Sequence, residues 1–202
     1  MRITEKCFVA LALIVAGPVA GADIETLKAE CDSCHGPNGN SAYSDVPIIA
    51  GQTPEFLSKS LRSFQRWDRP CIKSEYRSGN SAGKRSDMCQ VTGKLSDEDI
   101  TALAKHYSAQ TFIPARQEFD ATLAGEGAAL HEQFCQQCHE NGGKTAGRGP
   151  RLSGQWTDYL SATLKYVPTG EHLVPPKMER TVADIPSEDI ERLMNFYASQ
   201  QD

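Results

Sequence analysis

Apolar residues recur at helical spacing in two stretches, one near the middle of the chain and one at its end. In each stretch the pattern predicts an amphipathic helix whose apolar face packs on a core. The apolar positions are Ile100, Leu103, Ala104 and Tyr107 in the first stretch, and Ile190, Leu193, Met194 and Tyr197 in the second. Ser96 and Asp99 form a capping-box pattern, which predicts where the first of these helices begins.

Further helices are predicted before and after two cysteine-containing segments. A helix leads into each segment, as over residues 127–138, and a Gly-rich loop follows it. After each loop another helix is expected to begin, near Thr53 in one case and near Thr157 in the other. No long stretch alternates polar and apolar residues with a period of two, so we predict an all-α protein.

The order of these elements occurs twice. Cys31 and Cys135 are 104 residues apart, Gln52 and Gln155 are 103 apart, and the two terminal helices are related by an offset of 90. A constant order of elements at near-constant offsets indicates a tandem duplication. We therefore predict two domains, residues 23–111 and 124–202, joined by a linker over 112–123.

Each predicted domain contains one Cys-x-x-Cys-His motif, the attachment signal of a c-type haem. Two thiols on one helical turn can reach the two vinyl groups of a porphyrin, and the adjacent imidazole can bind the iron. The motifs are Cys31, Cys34 and His35, and Cys135, Cys138 and His139. A dithiol or half of a zinc site would explain one such motif but poorly explains two. We predict two covalently bound haems c.

The prolines that follow the motifs suggest how the iron-binding histidines are oriented. Pro47 and Pro150 each lie between a motif and the next helix. A backbone carbonyl near such a proline could accept the Nδ1–H of the histidine and so fix its tautomer. A loop that merely turns at the proline is the alternative.

The first 22 residues have the form of a secretory signal peptide. A short basic region precedes an apolar run from Phe8 to Val19, and a small-residue cleavage site ends at Ala22. The run is too short to cross a membrane, which takes about twenty apolar residues. We therefore expect an exported periplasmic protein without a membrane span. Residues 23–202 carry a net charge of −6, which argues against a nucleic-acid partner.

Methionine is a common second axial ligand of c-type haem iron. Met88 and Met178 are 90 residues apart, the offset of the terminal helices, and each precedes its helix by a short loop. We therefore predict that both bind iron, although packing in a core is the alternative for each. Met194 lies on the apolar stripe and is expected in the core. His172 is the one rival ligand for the second haem.

The first half contains 13 extra residues between Gln52 and Met88. Cys71 and Cys89 delimit this insertion, at residues 71–89, and are the remaining cysteines of residues 23–202. In an oxidising compartment an isolated pair predicts a disulfide. Iron ligation by either thiolate, as in some sulfur-oxidising haem enzymes, is the alternative.

The chain resembles the dihaem cytochrome subunit of flavocytochrome c sulfide dehydrogenase, which is itself similar to the cytochrome c4-type proteins. The resemblance covers nearly all of residues 23–202 and is most specific at 112–120, 154–160 and 196–201. It implies two tandem class I cytochrome c domains, each wrapped around one haem. The family's His/Met ligation carries over to His35 with Met88 and to His139 with Met178. The insertion at 71–89 departs from the family pattern.

The resemblance also implies a role in electron transfer, with no catalytic residue on this chain. The family subunit takes electrons from an FAD-containing flavoprotein that oxidises sulfide and passes them to a soluble cytochrome acceptor. A free cytochrome c4-type shuttle to a terminal oxidase is the alternative within this class. A haem enzyme, such as a thiosulfate dehydrogenase, is the alternative from another class, and it would require an open or thiolate-bound iron.

Overall fold

The computed structural model describes residues 23–202, so the predicted signal peptide and its cleavage site at Ala22 lie outside the described residues. The chain is mainly helical, as predicted. The helices are α1 (Ile24–His35), α2 (Pro54–Gln65), α3 (Met88–Thr92), α4 (Asp97–Ser108), α5 (Ala121–Leu130), α6 (Thr157–Leu164), α7 (Pro176–Asp184) and α8 (Ser187–Ser199). Short 3-10 turns lie at Pro37–Gly39 and Gly79–Ser81. Within the described residues no helix is long and apolar enough to cross a membrane.

The helix starts follow local capping chemistry. The Thr53 hydroxyl accepts the Phe56 amide at the start of α2, where Pro54 is the first helical residue. The predicted capping box opens α4, with Ser96 Oγ accepting the Asp99 amide at 3.1 Å and Asp99 Oδ2 accepting the Ser96 amide at 2.9 Å. These caps satisfy amides that have no partner within the helix.

The helix predicted over 127–138 differs from the structure in its limits. It begins at Ala121, where the Asp120 carboxylate accepts the amides of Thr122 and Leu123. The last three residues of the predicted linker 112–123 therefore form the first turn of α5. After Leu130 the helix widens into a π turn over His131–Cys135, because the amide that follows Cys135 donates to the carbonyl of His131.

The insertion forms the one departure from an all-helical chain in the described residues. Strands β1 (Ser74–Glu75) and β2 (Arg85–Ser86) pair antiparallel, with Ser74 opposite Ser86. Two residues are too few to show an alternating pattern, so the sequence did not reveal these strands.

Each half has its own apolar core. Helices α1, α2 and α4 enclose one cluster, and α6 and α8 contribute the other. The first cluster comprises Leu27, Leu57, Leu103, Ala104 and Tyr107, and the second comprises Leu160, Leu193, Met194 and Tyr197. Met194 is thus in the core, as expected. A third cluster, of Ile48, Ala50 and Ala115 with Phe112 and Trp156 against it, lies between the halves.

Candidate haem sites

The first motif ends helix α1. Cys31 and Cys34 are three residues apart and so lie on one helical face, and both are half-buried. His35 is 7% exposed and is the last residue of the helix. Gly36 follows with φ of +74°, and a Cβ there would overlap the backbone of Asn40. Glycine is needed because the chain must turn sharply away directly after the histidine.

The second motif follows the π turn instead of a regular helix. Cys135 is half-buried, Cys138 is exposed and His139 is 7% exposed. Gly149 lies against the imidazole, since a Cβ at this position would be 2.6 Å from Cε1 of His139. A larger residue would therefore displace the ring, so the loop after the motif sets the position of this histidine.

Both histidines have the same hydrogen bond, as the sequence suggested. Nδ1 of His35 lies 2.9 Å from the carbonyl oxygen of Pro47, and Nδ1 of His139 lies 2.9 Å from that of Pro150. A carbonyl only accepts, so Nδ1 bears the proton and the lone pair of Nε2 is free for a metal. Burial lowers the pKa of both imidazoles, which keeps them in the neutral, ligating form.

Three of the four thiols sit in surroundings that suit thioether formation to an apolar group. Burial raises the pKa of Cys31 to about 12. Burial also raises the pKa of Cys34 and Cys135. These sulfurs are therefore neutral and face largely desolvated space. Two sulfurs on one face and an imidazole with a free Nε2 are the donor set of a c-type haem, so the residues fit that cofactor in both halves.

The insertion is tied directly to the first motif. The amides of Arg77 and Ser78 donate to the Ser33 carbonyl at 2.7 and 3.2 Å, and Sγ of Cys34 lies 3.7 Å from the Glu75 carbonyl oxygen. The hairpin thus packs on the backbone between the two cysteines of the first motif. The second half lacks this cover, which leaves Cys138 exposed.

Met88 is the first residue of α3, directly after the N-cap Asp87, and is half-buried. A disulfide joins Cys71 to the neighbouring Cys89, with their Cα atoms 5.6 Å apart. It links the two ends of the insertion and ties down the start of α3, where Met88 lies. A disulfide sulfur has no thiolate to offer, so this arrangement disfavours iron ligation by either cysteine.

Met178 is the third residue of α7 and is also half-buried. No residue of α7 is fully buried, so the helix lies on the outside of the described fold. His172, the rival ligand, is half-buried in the loop before α7, and its amide donates to the Tyr166 carbonyl at 2.9 Å. The assignment of Met88 and Met178 to the two irons stays a prediction.

His131 has a role that the sequence did not reveal. It is 1% exposed, with Nδ1 3.0 Å from the Tyr197 hydroxyl and Nε2 2.9 Å from Gln136 Oε1. An amide oxygen only accepts, so Nε2–H donates to Gln136 and Nδ1 accepts from Tyr197. The chain Tyr197–His131–Gln136 ends within the second Cys-x-x-Cys motif and links the Gln136 side chain to α8.

In the first half a single hydrogen bond between side chains links the motif to α4. The hydroxyl of Tyr107 donates directly to Asp32 Oδ1 at 2.8 Å. Tyr107 and Tyr197 are related by the repeat, as are Asp32 and Gln136. The repeat was the available signal: His131 falls 104 residues after Leu27, where the first half has a core leucine.

Two glutamines join the halves reciprocally. Oε1 of Gln155 accepts the Ile48 amide and Nε2 donates to the Ile48 carbonyl, both at 2.8 Å. Gln52 makes the same pair of bonds with Arg151, at 2.9 and 3.3 Å. We call these four residues the glutamine clamp. The sequence showed the glutamines as a repeated feature but not that each reaches into the other half.

Comparison with known proteins agrees with this description. The family model of the cbb3-type cytochrome c oxidase subunit III matches residues 122–196. Cytochrome c4 of Azotobacter vinelandii is 33% identical over 147 residues, 67% of this chain and 66% of that protein. Cytochrome c4 of Thiocapsa roseopersicina is 31% identical over 147 residues, which are 67% of this chain and 68% of that protein. The aligned part thus spans about two thirds of each relative's own length.

The fold is also that of a solved cytochrome c4. The structure of reduced recombinant cytochrome c4 from Pseudomonas stutzeri superposes with a TM-score of 0.66 at 26% identity, covering 90% of this chain and 100% of that one. The cytochrome subunit of sulfide dehydrogenase from Chlorobaculum tepidum is 29% identical over 83 residues, 41% of this chain and 74% of that protein. The thiosulfate dehydrogenase electron acceptor of Stutzerimonas stutzeri is 24% identical over 79 residues, 39% of this chain and 32% of that protein. The two haem motifs, the helical fold around each and these similarities together show that the chain belongs to the cytochrome c4 family, whose members are electron-transfer proteins with two covalently bound haems c.

Proposed function

We propose that this chain works in the periplasm, where it accepts electrons from a sulfide-oxidising flavoprotein and passes them to a soluble acceptor. The observation that supports a role in electron transfer is the pair of buried histidines, because each is held neutral with Nε2 free to bind iron. When bound, each haem supplies one-electron redox chemistry. The protein's part is to hold the haems, exclude water and keep the ligands in place. The donor is proposed from the resemblance to sulfide dehydrogenase cytochrome subunits.

The proposed axial ligands are His35 with Met88 and His139 with Met178. Ligation of both faces would leave no open iron position for substrate, which favours electron transfer over catalysis. Replacing Met88 or Met178 with leucine should abolish the Met-to-iron(III) absorption band of one haem and lower its reduction potential. Met194→Leu is the matched control, because Met194 is a buried core residue. Unchanged spectra in both ligand variants would contradict the assignment.

The proposed mature chain begins at Asp23 and consists of haem domains at 23–111 and 124–202. The support is the signal-peptide pattern of residues 1–22 and the repeat of motif, loop and helix in each half. Mass spectrometry of the protein recovered from a periplasmic fraction tests both points. The expected mass is that of residues 23–202 plus two haems, and the mass of the uncleaved chain would contradict the proposed export.

The donor is tested by mixing the oxidised dihaem protein with a purified sulfide dehydrogenase flavoprotein and sulfide. We expect haem reduction to be much faster than with sulfide alone, because sulfide by itself has no docked protein that passes electrons to the haem one at a time. A thiosulfate dehydrogenase with thiosulfate serves as the comparison donor, since one relative is named as its electron acceptor. Equal rates with and without the flavoprotein would refute the proposed donor.

A free shuttle to a terminal oxidase is the second candidate. It is favoured by the extent of the matches, because the cytochromes c4 align over 147 residues and the sulfide dehydrogenase subunit over 83. Purification of the native protein distinguishes the two. A co-eluting flavin indicates a stable subunit, whereas a flavin-free protein that a terminal oxidase readily oxidises indicates the shuttle.

A further inference from the structure

Arg69 is a buried cation without an anionic partner among residues 23–202. Its side chain is 9% exposed, and its Nε has no hydrogen-bond partner. Nη2 donates to the Tyr159 hydroxyl at 3.1 Å, and the guanidinium lies 4.6 Å from the centre of the Phe64 ring. The adjacent carboxylate of Asp68 pairs with Arg66 instead. Burial of an uncompensated charge is strongly unfavourable, so an anion bound to the Arg69 guanidinium would stabilise the protein.

The backbone of Arg69 belongs to the segment that carries the proposed ligand of the first haem, while its side chain reaches Tyr159 of α6. It follows α2, and its carbonyl oxygen lies 3.8 and 4.0 Å from the sulfurs of Cys71 and Cys89. Cys89 directly follows Met88, so Arg69 belongs to the same disulfide-bound segment as the proposed iron ligand. A cleft of about 270 Å³ opens beside the guanidinium, and Trp67, Pro70, Cys71 and Glu171 line the rest of it.

The repeat places a second buried nitrogen at the corresponding position. Trp67 and Gly170 are 103 residues apart, and both have left-handed backbone conformations, with φ of +62° and +74°. The same offset pairs Arg69 with His172, whose Nδ1 is also buried without a partner. Burial and the charge of Arg69 lower the pKa of His172 to about 4, so this position is neutral. The two segments meet directly, because the amide of Leu173 donates to the Asp68 carbonyl at 2.9 Å.

We propose that Arg69 binds a propionate carboxylate of the haem attached at Cys31 and Cys34. The haem brings two carboxylates into an otherwise apolar environment, and a guanidinium can hold a carboxylate through two parallel hydrogen bonds. Binding would satisfy Nε and neutralise the buried charge at once. The equivalent position of the second half holds the neutral His172, which offers no charge to a carboxylate. This inference rests on the haem at the first motif and is independent of the redox partner.

The proposal predicts the effect of removing the charge. A cation near the haem disfavours the additional positive charge of Fe(III), so Arg69→Gln should lower the reduction potential of the first haem. We expect its reduced-to-oxidised ratio at a fixed applied potential to fall several-fold, where a tenfold fall corresponds to about 59 mV. The freed propionate should also protonate more easily, so the potential should become pH-dependent between pH 5 and 8. The other ionisable groups around Arg69 are Tyr159, His172 and Glu171.

The test uses the intact dihaem protein and follows each haem separately by its NMR methyl signals during a redox titration. Arg66→Gln is the matched control, since it removes the same charge three residues away from an exposed side chain. Arg69→Lys keeps the charge and should retain most of the potential. A shift in Arg69→Gln no larger than in Arg66→Gln, or one confined to the second haem, would overturn the proposal. A purely structural role would lower stability without creating the pH dependence.

A measurement on the unaltered protein covers the case in which the glutamine variant fails to retain haem. The carboxyl carbons of the haem propionates can be followed by NMR from pH 5 to 8. We expect at least one propionate of the first haem to show no titration, because Arg69 keeps it ionised. Titration of both propionates of that haem within this range would overturn the proposal.

Discussion

Gly127 lies where helix α5 crosses α8, and its replacement by alanine should destabilise the C-terminal half. A Cβ on Gly127 would overlap the carbonyl oxygen of Arg192, lie 2.5 Å from its carbonyl carbon and lie 2.9 Å from Cβ of Phe196. Ordinary contacts of a Cβ begin near 3.4 Å. All three of these atoms are backbone or directly attached to it, so the helices themselves must move apart.

The size of the effect follows from this displacement. Moving α5 from α8 by about 1 Å forfeits a quarter to a half of each dispersion contact between them. Over-packing of this kind costs about 3 kcal/mol at the upper end of its usual range. Alanine regains about 1 kcal/mol of helix propensity, so we expect a net loss of about 2 kcal/mol. For a chain of this length that corresponds to a fall in melting temperature of about 4–8 °C.

Gly125 provides the matched control on the same helix. A Cβ at Gly125 has no atom within 4 Å, so Gly125→Ala should stabilise the protein by about 0.5–1 kcal/mol through propensity alone. Both variants are compared by circular dichroism at 222 nm during thermal and urea unfolding, with both haems attached. A Gly127→Ala variant as stable as the unaltered protein would refute the close approach of the two helices. So would equal shifts in the two variants.

Three further predictions concern the disulfide, the half-buried His172 and the glutamine clamp. Replacing Cys71 and Cys89 together with serine should lower the unfolding free energy by about 3 kcal/mol, because their separation of 18 residues closes a sizeable loop, and a urea titration measures this. His172 has a folded-state pKa of about 4, below the ordinary value of 6.5, so the unfolded chain takes up its proton first as the pH falls. Stability should therefore fall by about 1–2 kcal/mol between pH 6.5 and 4, after allowance for its partial exposure, and His172→Asn should flatten this dependence. Gln155→Ala leaves the buried amide and carbonyl of Ile48 unpaired and should cost about 2–4 kcal/mol, measured in the same way.

Periodicity and motif spacing predicted most of the helical framework. The capping box at Ser96, the helix start at Thr53 and the core position of Met194 all follow from local patterns that the structure confirms. The prolines after the motifs suggested carbonyl partners for His35 and His139 but left a merely turning loop as the alternative, and the structure shows the carbonyl contact in both halves.

Features that depend on tertiary contacts could not be predicted from the sequence. The π turn before Cys135 accompanies the burial of His131 against Tyr197, a partner 66 residues away. Strand β1 is only two residues long, and the disulfide and the first motif hold its segment in place. Helix α5 extends back to Ala121 because Asp120 caps it, and the sequence reading had placed this turn in the linker.

The glutamine clamp has the form of an isologous interface. Ile48 and Arg151 are 103 residues apart and so are counterparts in the repeat, as are Gln52 and Gln155. Gln155 bonds Ile48, and Gln52 bonds Arg151 in the same way. Two identical one-haem chains related by a dyad would make this contact twice, since residue i meets j and j meets i. The two halves are therefore related at this contact by a pseudo-dyad, as the subunits of a homodimer are. A single tandem chain thus forms between its own halves the kind of interface that otherwise needs two copies, so its pairing does not depend on protein concentration.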